Sequence, residues 1–406
     1  MSEDDLVKYH GGLINKVNNA ISVTNKLLGE SDLQLIPYRK GNKWGFCTSD
    51  KIIVIDCIYD SADLFSEGFA AVSQNGKYGY INKQNEIVIN FEYDYANSFD
   101  NNISIIEKSG KKGLINKKNQ TILEPIFDDL YFRSDNYIHI KRENKVGLLD
   151  IHCQEFISPN YQDIGIFSNY GLASFAIHGY FGYLNSKGDV VISPKFHCAE
   201  EFKNEVAVVG IDKEYFLIDL NGKRISDCFT DLQSPFPDEE NLYACSKDDT
   251  YFGFIDNTGT EIIPFMYDYV ERFSEGLAVF SSDGKSGYID KANKIIIDEK
   301  FDKAFGFSEG LARVEKNNKQ GFIDNKGSVV IPFLYDQSSW VTCFENGYVE
   351  VVSQNKCGII DKTGEIIIPL EYTSVFYNAE IDGFLVSENY STLQFISKNG
   401  LKYWEE

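Results

Sequence analysis

The sequence predicts an all-β tandem repeat, and three observations carry that reading. A glycine recurs at Gly45, Gly79, Gly113, Gly147, Gly182, Gly253, Gly287, Gly321 and Gly358, with Phe216 standing in its place in one degenerate copy, at steps of 34, 35 or 37 residues. Three residues beyond nearly every one stands Asn or Asp, and six residues beyond stands mostly Gly or Asn. β-Branched and aromatic runs flank each of these turns. A fixed period of this size means one supersecondary unit stacked on copies of itself.

Taken in order, residues 1–30 stand apart. Ser2 with Asp5 reads as a capping box, and Val7, Ile14, Val17, Ile21 and Leu28 recur at helical steps. An amphipathic helix is expected there, either covering the first unit or docking a partner. Residues 31–406 form the array. Each unit begins with a strand such as Ala70-Ala71-Val72, turns at a pair such as Asn75-Gly76, and enters the glycine strand, as in Tyr78-Gly79-Tyr80-Ile81. A second turn follows, closed by a Gly or Asn that enters the left-handed region at low cost. A β-branched strand such as Val329-Val330-Ile331 then completes a three-stranded antiparallel meander. About eleven such meanders fit the chain.

A link of about ten residues joins successive units. Fourteen residues past each regular glycine it carries an aromatic: Tyr59, Tyr93, Phe127, Tyr161, Phe196, Tyr267, Phe301, Tyr335 and Tyr372. A second ring often follows six residues later, as in Tyr59/Phe65 and Tyr267/Phe273. Buried, these rings are packing between units; exposed in a row, they are stacking platforms for a polymer. The motif Phe-Ser-Glu-Gly at 65–68, 273–276 and 307–310 reads as a turn whose glutamate faces water or caps a neighbouring amide. At the far end, Gln394, Ser397 and Gly400 begin an eleventh unit that closes on Tyr403-Trp404. Whole meanders run from one end to the other, with no unit divided between the termini. An open superhelical array is therefore expected, with a closed propeller-like ring as the alternative.

These residues resemble the WG-repeat family, also called KWG repeats. The matching motifs are Lys43-Trp44-Gly45-Phe46, Lys77-Tyr78-Gly79-Tyr80-Ile81, and Gly253-Phe254-Ile255-Asp256 through Ile263-Pro264 to Tyr267-Asp268. Ile331-Pro332 and Ile368-Pro369 repeat the Ile-Pro element, and Trp44 alone keeps the namesake tryptophan. The resemblance covers about residues 33–404 and implies a bacterial β-rich scaffold without general catalytic activity. It carries over no catalytic residues.

Charge and composition narrow the function. The net charge of −22 disfavours nucleic acid, which demands a basic face, and is a poor match for anionic membranes. The acidic start Glu3-Asp4-Asp5 is not the n-region of a signal peptide, and no long apolar run spans a membrane. Eight cysteines at non-equivalent positions, none at CxxC spacing, read as free thiols and point to the cytoplasm. The histidines, including His152 and His197 beside Cys153 and Cys198, show no metal-ligand spacing. No catalytic residue, cofactor or metal site is assigned.

Departures from the period are the better pointers to function, because insertions in a repeat array emerge as loops on one face. Two units each carry three extra residues, around 234–241 and around 337–342. The first brings Phe236, Asp238, Glu239 and Glu240; the second brings Trp340. These five are the candidate partner-binding residues. The expected function is a non-enzymatic scaffold for protein–protein interaction, the alternative a module for glycans or another polymer.

Overall fold

The computed structural model describes residues 34–134, 136–152, 156–236, 241–337, 343–379, 381–388 and 393–405. The helix expected within residues 1–30 lies outside them. The described residues form eleven small antiparallel sheets, and the chain divides into two compact units, residues 1–130 with 376–406, and residues 131–375.

One repeat of the first unit shows the pattern. Its strands are Ser61–Ala62, Phe69–Gln74, Lys77–Asn82 and Ile87–Tyr93, paired in that order. The expected meander is the last three. The link is not bare chain, since it supplies a two-residue leading strand, Ser61 opposite Ser73 and Ala62 opposite Val72. Eight of the eleven sheets have four strands. A period of 34 residues accommodates four strands because the leading strand is so short.

The glycine has a physical cause. The edge strand crosses the glycine strand with a register shift: Tyr78 pairs with Tyr93, Tyr80 with Ile89, Ile81 with Ile87. That crossing brings the Ile89 carbonyl oxygen to 2.6 Å from where a Cβ on Gly79 would stand. The oxygen ten residues on makes the same approach at Gly45, 2.2 Å, and at Gly287, 2.4 Å. Any side chain would collide with backbone. Phe216 provides the contrast. Its sheet has three strands, and the segment that should form the edge strand makes only isolated bridges, Ile218 to Arg224 and Tyr215 to Phe229.

The turns follow the expected chemistry. Asn82 Oδ1 accepts hydrogen bonds from the amides of Gln84, 3.1 Å, and Glu86, 2.9 Å. The closing residue is left-handed, with φ of 62° at Asn85, 84° at Gly259 and 79° at Gly327.

Three side-chain devices tie each repeat to the next. The residue after the glycine packs at a tilt against the second link aromatic, with ring centroids 4.8 Å apart for Tyr80 and Phe99 and 5.0 Å for Tyr288 and Phe307. The first link ring is buried at Tyr59, Tyr93, Phe127, Phe196, Tyr267, Phe301, Tyr335 and Tyr372, and half-buried at Tyr161. Where that ring is tyrosine and the following repeat's turn closes on Asn, the hydroxyl donates to it: Tyr59 to Asn85, 2.6 Å, and Tyr267 to Asn293, 2.6 Å. The serine and glutamate of the Phe-Ser-Glu-Gly motif both reach forward. Ser308 Oγ donates to Phe344 O at 2.7 Å, and Glu309 caps the Gly347 amide at 2.9 Å. Of the two roles open to this glutamate, capping a neighbouring amide is the one observed.

A fourth device was not anticipated from the sequence. An aspartate at the end of the edge strand pairs with a lysine of its own glycine strand and accepts an amide from the next repeat's hairpin. Asp60 lies 2.5 Å from Lys43 Nζ and accepts from Asn75 N at 2.7 Å; Asp302 does the same with Lys285, 2.5 Å, and Asn317, 2.7 Å. The hydrogen bond from Lys285, then the Asn317 amide, hold the Asp302 carboxyl below its usual range. In the second unit His197 takes this place, and its Nδ1 accepts from Asp212 N at 3.0 Å.

Within the first unit the two chain ends meet, which corrects the expectation of an open array. Trp404–Glu405 pairs in parallel with Ile36–Lys40, Arg39 opposite Trp404 and Lys40 opposite Glu405. Gly41 N donates to Glu405 O at 3.0 Å, and Tyr403 is buried with Ile36, Tyr38, Cys47 and Ile381. The first sheet is thus completed by the end of the chain, a divided unit where whole meanders were expected. Two residues are too few to register in sequence as a strand.

Replacing Gly327 by valine should cost on the order of 1–3 kcal/mol in denaturant unfolding, because its φ is positive. Its Cβ would also press on Ile297 at 3.0 Å. Unfolding midpoints equal to the parent's would show the turn assignment to be wrong.

Candidate functional site

Described residues at the edges of the two insertions meet at one cavity. A cavity of about 470 Å³ in the second unit is lined by Phe236, at the described edge of the first insertion, and by Cys343 and Phe344, just beyond the second. Asp238, Glu239, Glu240 and Trp340 lie outside the described residues. The sequence marked the two stretches but offered no means of bringing them together, since they are about three periods apart.

Between them stand residues that the repeat pattern did not single out. Arg272 follows the short leading strand Tyr269–Val270, and its guanidinium lies 4.0 Å from the ring centre of Phe236. It makes one long contact, Nη1 to Ser234 O at 3.5 Å, while Lys203 Nζ holds the neighbouring Pro235 O at 2.8 Å. The first insertion is therefore fastened through its backbone carbonyls, and Phe236 stays 39% exposed. Arg313 sits on strand Leu311–Lys316 and is 3% exposed, with its guanidinium 3.8 Å from the ring centre of Phe305. Phe305 reaches the cavity because strand Lys303–Ser308 changes register between Ala304 and Phe307. Its backbone is held by Tyr288, whose hydroxyl donates to Phe305 O at 2.8 Å.

The carboxylates nearby have unlike environments. Glu315 is buried and accepts from Gln337 Nε2 at 2.8 Å and Gln320 Nε2 at 3.4 Å. Glu271 lines the cavity, and burial pushes its pKa up against the opposing pull of Arg272 and Arg313. Eighteen residues past the glycine, it occupies the position that Asp63 has in the first unit, where burial raises the carboxyl to about 6. The arginines have no such counterpart. At the place of Arg313 other repeats carry Pro37, Ala71, Ile105, His139, Ser174, Val208, Val279 and Glu350. The position varies among the repeats, so a position-by-position comparison would not have singled out Arg313.

Among the described residues, no three His, Cys, Asp or Glu side chains are placed to hold a metal ion. His197 and Cys198 line a second, more open hollow with Asp212 and Tyr215, where the histidine already serves as an amide acceptor.

Comparison with known families agrees with the repeat geometry. The family model described as "WG containing repeat" matches residues 44–78, 78–111, 113–145, 181–215, 252–285, 287–319, 321–357 and 358–384, more than half of the chain. The chain belongs to this family. The WG repeats so matched leave out the copies built around Gly147 and around Phe216, the second of which has lost its edge strand. No curated protein matches the chain. Solved structures similar to it include one titled "Crystal structure of the eukaryotic initiation factor", 13% identical, covering 74% of this chain and 94% of that one at a TM-score of 0.47. BamB from Moraxella catarrhalis is 10% identical, covering 67% and 94% at 0.38, and AztD from Citrobacter koseri is 15% identical, covering 65% and 90% at 0.36. At these scores the likenesses carry no argument about the WG repeats of this chain.

The buried carboxyl at the repeated position gives a pH signature. The folded pKa of Asp63, about 6, lies above its ordinary 3.8. Stability from this group is therefore full below 3.8 and falls as pH rises to about 6. Asp63→Asn should be more stable than the parent at neutral pH, by up to about 3 kcal/mol, with the difference closing in acid. Parallel unfolding curves across that window would contradict it.

Proposed function

We propose that this WG-repeat protein is a non-enzymatic scaffold that binds another protein through the cavity face of its second unit. The observation that carries the reading is that Phe236 of the first insertion and Cys343 and Phe344, just beyond the second, line one cavity. Exposed Phe236, with the Arg272 guanidinium over its ring, is the kind of aromatic and arginine pairing that dominates binding energy at interfaces. Trp340 and the acids Asp238, Glu239 and Glu240 belong to the same two insertions and complete the proposed contact surface.

The glycan or polymer alternative depended on a row of exposed link aromatics, and those rings are packed between sheets instead. The repeated glutamates and aspartates of the turns cap amides and pair with lysines, which supports a role for them in the fold. We assign the protein to the cytoplasm, in keeping with free thiols such as half-buried Cys57 and buried Cys245.

Affinity capture with the purified chain as bait tests the proposal. Phe236→Ala and Trp340→Ala, with each insertion shortened to the common period, should reduce recovery of a specific partner about tenfold or more, as loss of a hot-spot side chain does. A partner retained at undiminished affinity by all of these folded variants would remove the insertions from the interface.

A further inference from the structure

We propose that His197 is a pH-sensitive latch between two successive repeats of the second unit, closed at neutral pH and released in mild acid.

The joint is common to the repeats, and its acceptor is usually a carboxylate. At the end of the edge strand, Asp60, Asp94, Asp302 and Asp336 accept the amide at the tip of the next hairpin. The donors are Asn75, Ser109, Asn317 and Gln354, at 2.6–2.7 Å. The hydrogen bond from a lysine, then the amide, hold each of these four carboxyls below its usual range, so the acceptor persists through mild acid. Three consecutive joints of the second unit depart from this. Gln162 Oε1 accepts from Gly179 N at 2.7 Å, His197 Nδ1 from Asp212 N at 3.0 Å, and Thr230 Oγ1 from Asp249 N at 3.1 Å. Of these three kinds of acceptor, only the imidazole nitrogen is lost by taking up a proton near neutral pH.

The hydrogen bond fixes the tautomer. An N–H aimed at Nδ1 requires the lone pair there, so the ring carries its proton on Nε2. A second proton can enter only at Nδ1, the atom that holds the amide. Two donors would then face each other across 3.0 Å. The Asp212 carboxylate, 3.5 Å from Nδ1 and 86% exposed, is the acceptor at hand for the new N–H. The imidazolium thus exchanges the backbone of the hairpin for a side chain in solvent, and so exposed a pair contributes little.

The surroundings differ from those of the aspartates. Where other repeats place the lysine, two residues before the glycine, this one has Tyr180, whose ring packs against His197 with centroids 5.3 Å apart. Cys198, Gly210, Asp212, Lys213 and Tyr215 complete the hollow. The Asp212 carboxylate attracts a charge on the ring and the Lys213 ammonium repels it. Burial pushes the Cys198 thiol up, so it stays protonated throughout. The hairpin held by this latch, Val206–Ile211 with Glu214–Asp219, belongs to the repeat of Phe216, which lacks a third strand behind it. Its tip, Asp212 and Lys213, is an exposed left-handed pair with φ of 50° and 69°. Release of the Asp212 amide therefore loosens the array at a repeat that has already lost a strand.

Hydrogen exchange on the full-length chain tests this, read by mass spectrometry at single-amide resolution and divided by the intrinsic rate at each pH. Between about pH 7.5 and about pH 5.5, the range in which imidazoles ordinarily titrate, the protection of the Asp212 amide should fall. The fall should be about fivefold or more, the worth of one hydrogen bond. The Gly179 amide, held by Gln162, should keep its protection. His197→Gln, at an exposed position, installs the acceptor already used at Gln162 and should hold Asp212 equally at both pH values. Equal protection of Asp212 at both pH values in the parent would overturn the proposal. So would a fall that His197→Gln shares, which would place the titrating group elsewhere in the hollow. A fall of the same size at Gly179 would mark a general loosening in acid and overturn it as well.

Discussion

The structure depends on the close passage of one backbone over another. In each regular repeat the edge strand shifts register as it crosses the glycine strand, and its carbonyl comes within 2.2–2.7 Å of where a Cβ would stand. Only glycine admits that passage. The passage lets the edge strand end on an aromatic that enters the core, and lets the chain turn from there into the next leading strand. Phe216 shows the consequence of filling that space. The hairpin of its repeat survives, Val206–Ile211 with Glu214–Asp219, but the third strand does not.

Around this crossing, the links between neighbours use residues in fixed roles. Tilted ring pairs, the tyrosine-to-asparagine hydrogen bond, the forward-reaching serine and glutamate, and the aspartate that holds both a lysine and an amide each recur at constant offsets. In a repeat array the stability is approximately a sum of such nearest-neighbour terms. The individual terms are small: an aromatic pair contributes about 0.5–1.5 kcal/mol and a hydrogen bond about 1. Repetition makes them sufficient, and also commits them. The exposed lysine–aspartate pairs contribute little as ion pairs, and their larger role is to position the carboxylate for the neighbouring amide.

That commitment explains why individuality is confined to a few places. The insertions near 234–241 and 337–342 lengthen links, where extra chain does not disturb the crossing. Arg272 and Arg313 stand among phenylalanines at one cavity. Phe305 is turned toward the same cavity by a local change of register. Each departure is minor by itself, and the meeting of Phe236, Arg272, Phe305, Arg313 and Cys343 at one cavity is what distinguishes that place.

Much of the fold was legible because its causes are local. Positive φ at Gly259 and Gly327, the Asx acceptors such as Asn82, and the alternation of the strands are decided within a few residues, so their signal repeats with the period. The short leading strands were missed because a pair such as Ser61–Ala62 carries no pattern of its own and becomes a strand only by pairing with a neighbour. The joining of Trp404–Glu405 to Ile36–Lys40 was missed for the same reason, at the greatest possible separation in sequence. Of the candidate site, the sequence by itself determined that two stretches escape the repeat and that Phe236 belongs to one of them. Only the tertiary structure decided that Phe236 and Cys343 border one cavity, and that Arg272 and Arg313 lie between them. The physical reason is that convergence depends on how successive sheets pack, and a repeat spells out its nearest neighbours but not where its exceptions will meet.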